Sequence, residues 1–279
     1  MKKEDVELFG RKTFFIAPDT SLIPKAYLEE FLQHGYETYI INDDYTCSIQ
    51  KKVEIINRLY PEAIFYFNID STIDGIEWKS YVKKLHDDFG DEGLIGIFYS
   101  SRENAADEER IKDYYIRELQ IGAGCFALSA HNHNNFDSIM STLAACGAKG
   151  RRNLVRANCD ENSIVSFEHD GTKYNARILD VNISHFRCAL STSTNDLSIF
   201  MKIPDASLSV NGEPFVSDVT LIMKRDEHSK NLCVFMFIKK DGSPDLDEET
   251  QKRINKKIYR IVLDDVMGKL QQSFRTADK

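Results

Sequence analysis

No apolar run in the 279 residues approaches the ~20 residues that a bilayer-spanning helix needs. No apolar core follows the charged start Met1-Lys2-Lys3-Glu4-Asp5 either, so a cytoplasmic protein without signal peptide or membrane insertion is expected. A Cys-x-x-Cys pair is also lacking. Cys47, Cys125, Cys146, Cys159, Cys188 and Cys233 are scattered, and several lie in apolar runs such as Leu232-Cys233-Val234-Phe235. They read as reduced core residues, which excludes a disulfide scaffold and a cysteine zinc site. A surplus of positive charge is missing too: the net charge is -8, so a protein that coats nucleic acid is not expected and no DNA partner is assigned.

What is present is ordinary globular composition, 42% hydrophobic and 29% charged, over a length that suits two domains. The charge divides unevenly. Residues 1–148 carry 15 Lys+Arg against 25 Asp+Glu, a balance of -10, whereas residues 149–279 carry 21 against 19, a balance of +2. An anionic ligand is therefore expected in the second half.

Periodicity separates the halves. Short apolar runs at 13–17, 38–41, 63–67, 93–99 and 124–129 alternate with helical stretches at 23–34, 49–60, 76–89, 103–119 and 136–146. Strands buried on both faces and separated by helices predict a doubly wound five-stranded parallel sheet over residues 1–148. After Gly147-Ala148-Lys149-Gly150-Arg151-Arg152 the pattern changes. Strand-like runs at 163–168, 173–183, 186–191, 200–203, 207–210, 216–224 and 232–239 are punctuated by Asp170-Gly171, Asn211-Gly212 and Asp241-Gly242. They predict a small antiparallel β-barrel over 149–279, closed by a helix at 247–274 with the stripe Ile254, Ile258, Ile261, Val262 and Val266.

Enzyme chemistry finds no footing in the first half. A dinucleotide site needs a Gly-rich turn after the first strand, where this chain has Pro18-Asp19-Thr20-Ser21. His131 and His133 have no third metal ligand nearby and read as surface or capping residues. Trp78 and the pair Tyr114-Tyr115 read as packing or interface residues. No nucleophile with a base beside it can be nominated, so the chain is expected not to be an enzyme and to need no cofactor.

The second half holds the informative residues. Arg151-Arg152-Asn153-Leu154-Val155-Arg156 leads into the barrel, and Arg152 and Arg156, four apart, can turn toward one ligand. A guanidinium pairs bidentately with phosphate oxygens or guanine O6 and N7, and stacks on bases. Some 26 residues on, Asn182-Ile183-Ser184 is expected to place an amide and a hydroxyl on one strand face, a pair able to read a base edge.

Arg152-x-x-x-Arg156 followed by Asn182-x-Ser184 resembles the signature of PilZ domains, the bacterial receptors for cyclic di-GMP, Arg-x-x-x-Arg and Asp/Asn-x-Ser-x-x-Gly. The likeness runs from about Gly150 to Met267, including Lys173 to Asp180 before the second motif and the terminal helix. Residues 1–148 resemble, in order and size, the receiver domains of two-component signalling, without their acidic pair or lysine: Asp19 is single, Asp70 only roughly placed, and Ser129 or Ala130 stands in the lysine's region. The first half is therefore read as a receiver-like accessory domain that does not accept phosphate. The sequence departs from the PilZ pattern at Arg187, where the family has glycine; an arginine there either fills the pocket or adds a third cation. The resemblance implies a cytoplasmic, non-enzymatic receptor that binds cyclic di-GMP through Arg151, Arg152, Arg156, Asn182, Ser184 and Arg187 and relays binding as a change of domain orientation or to an unidentified protein partner. The alternative is a degenerate PilZ-fold interaction module that binds no nucleotide.

Overall fold

The computed structural model describes residues 10–277 except 45, 91–93, 131, 133, 152, 153, 191, 228 and 229. Arg152, His131 and His133 thus lie outside the described residues. The chain divides into two compact units, Met1–Val155 with Met267–Lys279, and Arg156–Val266.

The first unit holds β1 (Thr13–Ile16), β2 (Thr38–Ile41), β3 (Ile64–Asn68), β4 (Leu94–Ser100) and β5 (Cys125–Leu128), all parallel in the order β2-β1-β3-β4-β5. Helices α1 (Lys25–Gln33), α2 (Ile49–Leu59), α3 (Trp78–Phe89) and α4 (Ala105–Lys112) connect the strands, and α5 (Asn134–Ala145) follows β5. This is the doubly wound sheet that the alternation of runs predicts. Every residue of β1 and β3 is buried, as continuous apolar strands under helices on both faces require. Phe15 stacks on Tyr66 at 5.5 Å and meets Phe98 edge-on at 6.1 Å. Gly96 on β4 makes room for this cluster, because a Cβ there would come within 2.4 Å of the Tyr66 ring.

One local feature departs from the expected pattern. The stretch at 103–119 is not one helix: α4 passes at Asp113–Glu118 into a π-helix, and Tyr115 is buried in it. The connection at 147–155 begins anchored, because Ala148 is buried, its N–H donates to Leu143 O at 3.0 Å and its carbonyl accepts from Arg11 N at 3.1 Å.

The second unit contains β6 (Ala157–Asn158), β7 (Ile164–His169), β8 (Thr172–Val181), β9 (His185–Leu190), β10 (Lys202–Val210), β11 (Glu213–Glu227) and β12 (Lys230–Ile238). The order β8-β7-β10-β11-β12-β9 closes through β8–β9 pairing into a six-stranded antiparallel barrel, and β6 adds beside β8. Phe186 stacks on Phe235 at 5.3 Å, and Phe167 on Tyr174 at 5.0 Å, in its interior. The β7–β8 hairpin turns on Asp170-Gly171 with φ of 47° and 75°, the left-handed pair a two-residue turn demands. The expected strands at 200–203 and 207–210 join as β10, with an irregularity between Ile203 and Ala206 where Asp205 takes φ 49° and donates its N–H to the buried Asp218 carboxylate at 3.0 Å. Helix α6 (Glu248–Ala277) buries Ile254, Ile258, Val262 and Val266, one residue in four, in this unit, and its residues from Met267 on, with Leu270 and Phe274 buried, are counted with the first.

Candidate functional site

The site is built where β8 runs into β9. Along β8 the inward residues are Tyr174, Ala176 and Ile178, alternate positions that would carry Asp180 into the core next. A bulge prevents this. The β8–β9 register shifts between Ile178 and Asp180, so Ile178 faces Cys188, Val181 faces Phe186, and Asp180 stands opposite Arg187. Cys188 and Phe186 are core residues, so the intervening Arg187 and its partner Asp180 point to the outer surface. Leu179, the bulged residue, accepts at its carbonyl from Cys159 N at 2.9 Å, which ties the chain following β6 to the bulge.

Asp180 is the hub. Its Oδ1 accepts from Arg156 Nη1 at 3.1 Å and its Oδ2 from Arg187 Nε at 2.6 Å. One carboxylate thereby gathers an arginine from the approach to β6 and another from β9. The side chains of Arg156 and Arg187 remain 31% and 42% exposed, against 7% for Asp180, so the cations cover the acid and offer their outer edges to solvent. Two guanidiniums and one carboxylate leave a net charge of +1, in a chain whose overall balance is negative.

Beside this triad β8 ends in a tight turn. Asn182-Ile183-Ser184 lies beyond the last β8 residue, so the expected strand face is replaced by a turn closed by Asn182 N donating to His185 O at 2.9 Å. Asn182 is buried, and its Oδ1 accepts from Ser184 N at 2.9 Å, Ser184 Oγ at 3.1 Å and His185 N at 2.7 Å. An asparagine side chain that binds backbone two residues ahead fixes such a turn. Ser184 Oγ also lies 2.5 Å from His185 Nδ1. The hydroxyl has a single proton and lies within reach of two acceptors, Asn182 Oδ1 and the His185 ring nitrogen, so Ser184 ties the ring to the turn. Burial, and after it the positive charge of Arg156, hold the His185 pKa below its usual value.

Of the residues singled out in the sequence, Arg156, Asn182, Ser184 and Arg187 fall on this β6–β8–β9 edge. Arg151 is exposed, and Arg152 lies outside the described residues. Arg187 opposes Asp180 across the strands and donates to its carboxylate. Asp180 and His185 carry no signal of their own in the sequence. Asp180 becomes visible only through the bulge, since the plain alternation of β8 counts it among the core positions.

The carboxyl ends of the parallel strands are closed by their own side chains. Asp70 accepts from Ser100 N at 2.7 Å through Oδ2 and pairs with Arg102 through Oδ1. Asp19 Oδ1 accepts from Ser21 N at 2.7 Å, and the hydroxyls of Ser101 and Ser129 meet at 3.0 Å. Among the described residues no group of three His, Cys, Asp or Glu is placed to hold a metal ion, and no helix is long and apolar enough to cross a membrane.

No family model and no curated protein matches the chain. Several solved structures do. The PilZ domain of YcgR with c-di-GMP from Escherichia coli is 15% identical, with a TM-score of 0.33 over 46% of this chain and 98% of that one. The K. pneumonia MrkH complex with c-di-GMP is 18% identical, with a TM-score of 0.35 over 41% and 52%. The Bacillus subtilis inhibitor of motility, MotI/DgrA, is 8% identical, with a TM-score of 0.31 over 39% and 50%. The chain spans about half the length of the last two.

Proposed function

We propose that the chain is a cyclic di-GMP receptor that performs no chemistry on its ligand. The observation that carries the proposal is the convergence of Arg156 and Arg187, from separate segments, on one half-exposed spot beside the Asn182–Ser184 turn. In this reading the outer edges of the guanidiniums bind phosphodiester oxygens or stack on guanine, and Arg151 and Arg152 extend the basic arm. Ser184 and the His185 ring supply the small polar groups that address a base edge. Residues 147–156 link the parallel sheet to the barrel in sequence. The segment starts anchored at Ala148, and charged contacts from its arginines would hold the rest on a ligand. The proposed output is a restricted orientation of the two units, or a surface for a protein partner.

A second reading has its own support. Asp180 satisfies one donor on each arginine, and the turn itself uses Asn182 Oδ1, so the edge is consistent with a PilZ-like interaction module that binds no nucleotide. Isothermal titration with cyclic di-GMP separates the two readings: saturable heat lost in Arg156→Ala supports the receptor, and absence of heat in the folded wild-type chain supports the module.

A further inference from the structure

Both arginines that would receive the ligand already hold an anion belonging to the chain itself. We infer that Asp180 is an internal competitor for that ligand: its carboxylate occupies the guanidiniums a phosphodiester must recruit, and it thereby sets the affinity of the site. The inference rests on the receptor reading above.

A guanidinium grips an oxyanion best along one edge, with two parallel N–H donors. Arg187 gives Nε to Asp180 at 2.6 Å, which takes one donor from its Nε–Nη edge, and Arg156 gives one Nη1 hydrogen at 3.1 Å, which leaves its Nε–Nη edge free of the carboxylate. Each arginine thus has one two-donor edge left intact. A ligand carrying two phosphodiesters must either accept those remaining edges beside a fixed carboxylate or displace it. Both routes set like charges against each other, and Asp180 is poorly hydrated, at 5% exposure, so solvent screens the repulsion less than at an open surface.

The opposite role, a scaffold that steadies the arginines for the ligand, is weaker on this geometry. Arg187 is placed by the β8–β9 register, directly opposite Asp180, and Arg156 is fixed by the start of β6, which pairs with Val181 and Asp180. Their backbone positions do not depend on the carboxylate's charge. Nor does the core call for Asp180, because the bulge turns it outward while Ile178 and Val181 fill the interior.

The test compares Asp180→Asn and Asp180→Glu with the wild-type chain, by isothermal titration with cyclic di-GMP and by thermal melting. Asparagine keeps the shape and one acceptor oxygen but removes the charge; it should bind at least about tenfold more tightly, ~1.4 kcal/mol. Glutamate keeps the charge and should bind no better than wild type. Unchanged or weaker binding by a normally melting Asp180→Asn, alongside wild-type binding, overturns the competitor and leaves the receptor reading standing. No binding by either overturns both. If Asp180→Asn does not fold, Asp180→Ser decides by the same titration: tighter binding than wild type supports the competitor, and unchanged or weaker binding by the folded variant overturns it.

Discussion

Asn182 takes three hydrogen bonds on one buried oxygen, two of them from the backbone N–H groups of Ser184 and His185. Truncating it strands those donors inside the turn, so Asn182→Ala should destabilise the chain by about 1 to 3 kcal/mol. Ser184→Ala removes only the hydroxyl and leaves the turn's backbone bonds in place. It should cost clearly less. Urea denaturation of the two variants checks this, and equal losses would show that Asn182 does not hold the turn. His185 adds a pH dependence. Its pKa in the folded chain lies below the unfolded value near 6.5, so the unfolded chain takes up a proton first as pH falls. Stability from the neutral ring is complete above that unfolded value and declines as acid carries the pH down toward the folded one. His185→Gln should show a smaller loss of melting temperature than wild type between pH 7.5 and 5.5; an identical loss would remove His185 from the account.

Elements were legible in the sequence where one physical signal dominated. The Asp170-Gly171 turn could be read because few residues other than glycine, aspartate and asparagine accept positive φ cheaply, and both residues adopt it. The strands of the parallel sheet could be read because burial on both faces removes polar residues from them altogether. Bulges were not legible. An extra residue at Leu179 or at Pro204-Asp205 leaves the local composition unchanged and reveals itself only in the partner strand's register. That is why Arg156, Asn182 and Ser184 could be nominated from the sequence while Asp180, the residue that joins Arg156 to Arg187, could not. The strand ends of the sheet support a separate prediction. Both oxygens of Asp70 are engaged, by Ser100 N and by Arg102, and no lysine stands at Ser129 or Ala130. Incubation with acetyl phosphate and magnesium should therefore leave the intact mass unchanged. A stoichiometric phosphoryl adduct lost in Asp70→Asn would contradict this.

At the scale of the molecule, the charge division matches the chemistry of the two folds. The residues up to 148 carry the balance of -10, and the exposed arginine edges of the barrel lie in the part with +2. In the receptor reading, the electrostatic balance favours a dianionic nucleotide at the second part over the first. Calorimetric titration of the full chain decides whether the β6–β8–β9 edge binds cyclic di-GMP through Arg156 and Arg187, as proposed. The expected result is saturable binding by the wild-type chain that weakens at least about tenfold, ~1.4 kcal/mol, in both Arg156→Ala and Arg187→Ala, with melting temperatures that show both variants folded. Wild-type affinity in both folded variants, or no heat with the wild-type chain, would contradict it.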